Sequence, residues 1–435
     1  MPLNTTNASI NPTRASGSNL CNTILLAAQL LDQVRLGTSL TQALAQAPSE
    51  NRSAAQSLTF DALRYKPKIL QALRPYLHKA IDPEVEDIFL IAISTLFLQT
   101  QNQYAPYTLV NETVKAADQS RKTKHAKGLI NAVLRRLIEN PQALQIDVID
   151  AQYPSWWVKS LKKAYPNQFA PILETNLNPA KMFLRVNPHR VTLSAYRAEL
   201  QSAGIGVLEI PKQWQDLAPL AIALEGSIPV HTLPGFQEGF VSVQDLGAQI
   251  AAQLIAPKDH EDVLDACSAP GGKACHLLEL ADINLDVLEI SEERMVRVKE
   301  NLSRLHLNAN IIIGDAARAS TWWTGKHYDA ILADVPCSAT GIIRRHPDIL
   351  YLRRSADIVQ LQELQRKITE ELWGLLKPGG RMLFVTCSIL PQEGEQQLEW
   401  FSNNLPDALR LDCLGQLLPN EWHDGFYYGM LQKKR

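Results

Sequence analysis

Val263-Leu264-Asp265-Ala266-Cys267-Ser268-Ala269-Pro270-Gly271-Gly272-Lys273 reads as a short apolar strand that runs straight into a glycine-containing loop. Further apolar runs follow at Leu285–Leu288, Ile311–Ile313, Ala330–Ala333 and Met382–Val385, with helical patterns between them. One helix is expected over Glu292–Leu305, with Met295, Val298, Leu302 and Leu305 on one face; another over Ala356–Leu376, stopped by Lys377-Pro378-Gly379-Gly380. Strands alternating with helices predict a parallel sheet covered on both faces. In such sheets ligands gather beyond the carboxyl ends of the strands. The chemistry should therefore lie in the residues just after each strand.

The loop after the first strand, Cys267 to Lys273, carries two glycines that let a backbone approach a ligand closely. The second strand ends in Glu289, an acid able to accept hydrogen bonds from two ribose hydroxyls. The third ends in Gly314-Asp315, where an acid can read an adenine amino group. Together these predict an adenosine-containing ligand. No G-x-G-x-x-G and no Walker-type loop follows the first strand, which argues against a dinucleotide or a nucleoside triphosphate. The fourth strand ends Asp334-Val335-Pro336-Cys337-Ser338-Ala339-Thr340-Gly341 and the fifth Thr386-Cys387-Ser388. A single cysteine is commonly a small buried hydrophobe. Two of them at the ligand-bearing edge, on strands that could be neighbours, call for another account. Arg344, Arg345, His346, Arg353 and Arg354 follow the fourth-strand motif, either as surface charge or as contacts to RNA phosphates. His346 has no metal-ligand spacing around it, and no metal is expected.

The chain has 435 residues, enough for two to four domains. Its net charge is −2, so any nucleic-acid signal must be local. The six cysteines include no C-x-x-C pair, which disfavours a structural zinc site or a disulfide framework and suits a reducing cytoplasm. The polar start, Met1 to Asn22, lacks the pattern of a signal peptide, and the apolar run Ile88–Leu98 is too short to span a bilayer; no membrane association is expected. From Asn22 to Glu139 the pattern is helical, with Leu63, Ile69, Leu70 and Leu73, then Val85, Ile88, Ile91 and Leu96, recurring near helical spacing. Within it, Gln119–Ile138 holds no acid but carries Arg121, Lys122, Lys124, Lys127, Arg135 and Arg136, a solvated face or a phosphate-binding one. Between Asp150 and Gln244, apolar runs Met182–Val186 and Ile205–Ile210 flank a helical stretch, Leu193–Ser202, with Pro and Gly punctuation. This reads as a small α+β domain, with Trp156 and Trp157 in its core. The expected division is 1–145, 146–244 and 245–435.

Three runs carry a resemblance. CSAPGGK (267–273), ILADVPCSATGIIRRHPD (331–348) and FVTCSILPQEGE (384–395) occur in order and closely resemble the RNA cytosine-5 methyltransferases of the NOL1/NOP2/Sun family. Gly128-Leu129-Ile130-Asn131-Ala132-Val133-Leu134-Arg135-Arg136 is similar to a NusB-type segment, and Asp424-Gly425-Phe426-Tyr427-Tyr428 also fits the family. The resemblance implies an all-α NusB-like RNA-binding domain, a small α+β domain and a C-terminal α/β Rossmann-like methyltransferase domain. It implies S-adenosyl-L-methionine as cofactor, lined by Cys267, Ser268, Ala269, Pro270, Gly271, Gly272, Lys273, Glu289, Asp315 and Asp334. It makes Cys387 the nucleophile and Cys337 the thiol that helps release product. The implied substrate is 16S ribosomal RNA, at the family's cytosine-967 position; the basic clusters make Lys124, Lys127, Arg135, Arg136, Arg344 and Arg345 the expected RNA contacts, and a cytoplasmic monomer is expected. Glu289 stands where the family commonly has Asp; Ser268 and Ala274 are milder departures. Two alternatives stay open: the same chemistry on transfer RNA, and an RNA-binding assembly factor without catalysis. An amino-group methyltransferase would show Asp/Asn-Pro-Pro-Tyr/Phe, which Asp334-Val335-Pro336-Cys337 is not.

The implied chemistry suits these groups. Carbon 5 of cytosine is a poor nucleophile until a thiolate adds to carbon 6, a covalent route that divides one hard step into two easier ones. A free thiol, with a pKa of roughly 8.5, needs little help to ionise. Asp334 is of the right type to hydrogen-bond the cytosine ring during addition. The target base must leave its stack to meet both thiols.

Overall fold

The computed structural model describes residues 17–97, 104–144 and 153–435. They fall into two units: Met1–Pro154 with Leu350–Leu352, and Ser155–Ile349 with Arg353–Arg435. Most of the polar start, Leu98 of the apolar run, and the expected boundary at 145/146 lie outside the described residues.

The first unit is helical: Gly17–Arg35, Leu40–Gln46, Arg52–Leu73, Pro83–Phe97, Pro106–Gln119 and Lys127–Glu139. Pro83 and Pro106 each open a helix, where a missing N–H leaves no bond unmade. The Ser39 hydroxyl caps the second helix by accepting from the Gln42 N–H at 3.3 Å. Leu63, Ile69, Leu73, Val85, Ile88 and Ile91 are buried together, while Leu70 and Leu96 sit at the rim of that core. The helical periodicity thus marks the face that packs. No helix among the described residues is long and apolar enough to cross a membrane.

The second unit opens with the helices Ser155–Ala164 and Phe169–Leu177 and a four-stranded sheet. Its strands are β1 (Phe183–Val186), β2 (Val207–Leu208), β3 (Ala221–Leu224) and β4 (Val241–Val243), all antiparallel in the order β2-β3-β1-β4. The run Met182–Val186 supplies β1, but only Val207 and Leu208 of the run Ile205–Ile210 pair as β2. The helix Leu193–Ser202 lies where expected, capped by the Thr192 hydroxyl. Trp157 is buried and Trp156 half-buried.

After the helix Leu246–Ile255 comes a seven-stranded sheet: β5 (Asp262–Ala266), β6 (Asn284–Glu289), β7 (Asn310–Ile313), β8 (Tyr328–Asp334), β9 (Leu376–Thr386), β10 (Ala408–Leu417) and β11 (Phe426–Lys433). The order is β10-β11-β9-β8-β5-β6-β7. The five strands expected from the apolar runs are mutually parallel. The sheet is nevertheless mixed, because β11 runs antiparallel to both β9 and β10. Successive residues feed opposite faces: Val263, Val287 and Leu383 pack with the helices Gly272–Leu280 and Glu292–Leu305, whereas Leu264, Ile331 and Phe384 pack with Ser355–Gly374 and Glu395–Asn404. The long helix ends at Gly374, two residues before the expected stop, and Leu376 already pairs with Tyr328. Lys377-Pro378-Gly379-Gly380 is a bulge in β9, since the next pair is Ala330 with Arg381. β5 lies between β6 and β8, so the chain's winding reverses beside it and a crevice opens at the carboxyl ends of these strands.

Candidate active site

Every strand-end residue singled out in the sequence lies at that crevice edge, because parallel strands deliver their carboxyl ends to one side of the sheet. After β5 the chain turns through Cys267 (φ 60°) and Gly271 (φ 91°) into the helix Gly272–Leu280. A Cβ at Gly271 would lie 3.1 Å from Val298 Cγ1, so glycine serves both the left-handed backbone and the close helix contact. Glu289 is buried; its carboxylate accepts from the N–H groups of Ala269 (3.3 Å) and Ser291 (3.2 Å) and from Arg294 (3.2 Å). Asp315 accepts from the Ala317 N–H at 2.9 Å. Asp265, one of the loop's own flanking residues, is buried with the Ser268 hydroxyl on Oδ2 (2.8 Å) and no hydrogen-bond partner on Oδ1. Burial pushes its carboxyl up to about 7, against the Ser268 hydrogen bond.

Lys273 Nζ lies 2.6 Å from Asp334 Oδ2, joining the loop after β5 to the end of β8. Burial opposes the Lys273 charge, but Asp334, with a smaller contribution from Cys387, holds the ammonium above its ordinary value. On the adjacent strand ends, Cys337 Sγ and Cys387 Sγ are 3.4 Å apart. The hydrogen bond to Cys387, and then burial, push the Cys337 thiol well above its ordinary value. The two sulfurs thus share one hydrogen bond at the adjacent strand ends. The loop after Cys337 folds back so closely that a Cβ at Gly341 would lie 2.2 Å from the Gly425 carbonyl oxygen. Gly341 N–H donates to the Cys387 carbonyl (2.9 Å) and Gly425 N–H to the Gly341 carbonyl (2.8 Å), which binds both cysteine turns to the start of β11.

This geometry agrees with three family matches: 16S rRNA methyltransferase RsmB/F at residues 252–432, the ferredoxin-like domain of RsmF/B-like methyltransferases at 153–231, and the NusB family at 22–139. The ribosomal RNA small subunit methyltransferase B of Vibrio cholerae is 40% identical over 424 residues, covering 94% of this chain and 96% of its own. That of Pseudomonas putida is 38% identical over 429 residues, with 94% and 96% covered. The chain belongs to the ribosomal RNA small subunit methyltransferase B family. That family comprises S-adenosylmethionine-dependent 16S rRNA methyltransferases. The crystal structure of PH0851 has the same fold, with a TM-score of 0.77 over 97% of this chain and 100% of that chain at 22% identity. A methyltransferase homolog protein from Pyrococcus horikoshii matches 65% of this chain and 95% of its own, with a TM-score of 0.56 and 24% identity.

Within this methyltransferase B fold, Arg344 and Arg345, both expected to contact RNA, make several hydrogen bonds inside the protein. Arg344 is 3% exposed; its Nε donates to Asp424 Oδ1 and its Nη1 to the Asn420 carbonyl at 2.7 Å. Arg345 donates to the other Asp424 oxygen, to Asp245 (2.8 Å) and to the Lys181 carbonyl (3.2 Å). Burial disfavours the Asp424 charge, but Arg345 and Arg344 outweigh it and hold the carboxyl below its ordinary value. Arg353, grouped with them in the sequence, donates to the Ser338 carbonyl at 3.1 Å. By contrast Lys124, Lys127, Arg135 and Arg136 are exposed on the helical unit; Lys127 shares Asp118 at 2.9 Å and Arg135 holds Asn131 at 3.1 Å.

Two structural residues went unnoticed in the sequence. Arg185 sits in the apolar run that forms β1 and is fully buried. It grips Glu279 with two hydrogen bonds (2.7 and 2.9 Å) and donates to the Gly272 carbonyl (2.8 Å), fixing the ferredoxin-like domain to the helix that follows the loop after β5. A lone Arg among apolar residues was its only signal. Glu393 lies in the third motif run but carried no assigned role.

Proposed function

We propose that this protein transfers a methyl group to carbon 5 of a cytosine in 16S ribosomal RNA, at the cytosine-967 position, through a covalent bond between Cys387 and carbon 6. The observation that carries this reading is the 3.4 Å contact between two thiols at adjacent strand ends, beside the Lys273–Asp334 pair.

The crevice residues fit S-adenosyl-L-methionine. Glu289 would meet the ribose and Asp315 the adenine, with Cys267 to Lys273 and Asp334 along the rest of the ligand. The unpartnered, buried Asp265 Oδ1 suits an arriving donor. When bound, this cofactor supplies an electrophilic methyl group.

The chain's own residues do the rest. Cys387 adds to carbon 6 while Asp334 hydrogen-bonds the ring, and carbon 5 becomes electron-rich. Lys273 keeps Asp334 in place. Once the Cys387 sulfur is a thioether it no longer shares a proton with Cys337, which removes the largest of the causes that raise the Cys337 thiol, while burial remains. Cys337 gives its own proton to solvent and, as a thiolate, takes the proton from carbon 5; that electron pair re-forms the 5,6 double bond, the carbon 6–sulfur bond breaks, and Cys387 leaves as a thiolate with the product freed. The cytosine must be flipped out of its stack to reach these groups. Lys124, Lys127, Arg135 and Arg136 would hold RNA phosphates, and the protein would act as a monomer in the cytoplasm.

Bisulfite sequencing of 16S rRNA from cells with and without the gene tests the reading. The expected result is loss of one 5-methylcytosine, restored by the wild-type gene and not by Cys387→Ala. An unchanged 16S pattern with a lost transfer-RNA mark would redirect the substrate.

A further inference from the structure

Glu393 follows β9 in the short turn Pro391–Glu393 and is fully buried. Its Oε1 accepts from the Ser338 backbone N–H (2.8 Å) and from Gln365 Nε2 (3.1 Å). Its Oε2 accepts from the Ser388 hydroxyl (2.7 Å) and from the Ser338 hydroxyl. Ser338 is the residue after Cys337, and Ser388 the residue after Cys387. The residues before each cysteine converge on the same place. Gln365 Nε2 also donates to the Pro336 carbonyl (3.0 Å), and the Thr386 hydroxyl donates to the Glu393 carbonyl (3.0 Å).

We propose that Glu393 is a positioning residue for the reaction: one buried carboxylate sets the separation of the Cys337 and Cys387 sulfurs by anchoring the turn behind each. The proposal rests on the reading of these thiols as the reacting pair. A carboxylate suits the task because it is acceptor-only, with room for about four donors, and Ser338 (twice), Ser388 and Gln365 fill it. A carboxamide of the same shape would point an N–H at one of these donors and lose that anchor. The two sulfurs act on neighbouring carbons of one ring, so a shift of about 1 Å in either turn is costly in rate.

The thiols serve as their own ruler. Diamide oxidises two neighbouring thiols to a disulfide and takes up the two electrons and two protons itself, with no need of RNA or cofactor. In the full-length protein, Glu393→Gln is expected to slow diamide-driven Cys337–Cys387 cross-linking about tenfold and single-turnover methyl transfer about 100-fold, with S-adenosylmethionine affinity unchanged. Glu393→Asp, which keeps the acceptors, should recover part of what Glu393→Ala loses. Cross-linking at the wild-type rate in Glu393→Gln overturns the proposal, whatever happens to methyl transfer. Glu393-dependent cross-linking in a protein that never methylates 16S rRNA would instead sink the functional reading and leave the positioning role standing. If Glu393→Gln does not fold, Ser388→Ala and Ser338→Ala carry the test, since each removes one donor and keeps the carboxylate. Ser388→Ala should slow formation of the RNA adduct and Ser338→Ala should prolong it. Wild-type cross-linking and adduct kinetics in both would overturn the proposal equally.

Discussion

Lys273 Nζ and Asp334 Oδ2 meet at 2.6 Å across the crevice between β5 and β8, in a place where the Lys273 side chain is only 14% exposed. Asp334→Asn leaves that ammonium without its carboxylate. A charge-assisted hydrogen bond of this kind contributes about 1.5–3 kcal/mol, so single-turnover methyl transfer should fall about 10- to 100-fold. Because the Lys273 ammonium is held above its ordinary 10.5, the pair's contribution is fully present below that value and is lost as pH rises through the higher folded value. The deficit of Asp334→Asn should therefore be constant between pH 6 and 9, measured as a ratio of rates to wild type. Wild-type rates in this variant would remove Asp334 from the mechanism.

The separate roles proposed for the two thiols, 3.4 Å apart, give a second expectation. Cys387→Ala should abolish both methyl transfer and any covalent RNA complex. Cys337→Ala should still form the Cys387 adduct but fail to resolve it, because the base for carbon 5 is gone. Denaturing gels of enzyme mixed with labelled 16S RNA fragment and cofactor read this directly. A persistent adduct in Cys387→Ala, and none in Cys337→Ala, would exchange the two roles.

Asp265 should make the ligand-free protein less stable as pH rises. Its folded carboxyl titrates near 7, above the ordinary 3.8, so the folded chain holds a proton that the unfolded chain has released across that window. Stability falls as pH climbs from 4 through 7 and levels off above it. Asp265→Asn removes at most about 4 kcal/mol of this slope, from a shift of about three pKa units. Urea midpoints at pH 5 and pH 8 should lie closer together in the variant than in wild type. Asp87, raised to about 7 mainly by burial in the helical unit, supplies a separate slope that the substitution leaves in place.

The carboxyl edge of the parallel strands was legible because buried parallel strands read as unbroken apolar runs, and Glu289, Asp334 and Cys387 mark where those runs stop. The bulge at Lys377-Pro378-Gly379-Gly380 was not, since those residues read equally well as a helix stop. β10 escaped because Leu409 and Leu411 are exposed and alternate with Arg410 and Asp412, so no apolar run announces it. The hardest features are pairings across the chain. Arg344 looks like surface charge until Asp424, 80 residues later, is seen against it. Glu393 acquires its role from Ser338, 55 residues earlier.

The buried and exposed cations should separate cleanly by salt dependence. Asp424→Asn strips the shared carboxylate from Arg344 and Arg345; breaking such a buried arrangement costs about 3–5 kcal/mol, so the thermal midpoint of the catalytic unit should drop while the salt slope of RNA binding stays at the wild-type value. Alanine at Lys124, Lys127, Arg135 and Arg136 should do the reverse. The fold should hold, since all four are exposed, and the slope of log affinity against log salt should shrink by about 0.7–0.9 for each phosphate no longer neutralised. Filter binding of a 16S fragment across 50–300 mM salt (about the useful range for counterion release) distinguishes the two. A reduced slope for Asp424→Asn would place Arg344 and Arg345 at the RNA interface, and an unchanged slope for the quadruple variant would place the RNA elsewhere on the protein.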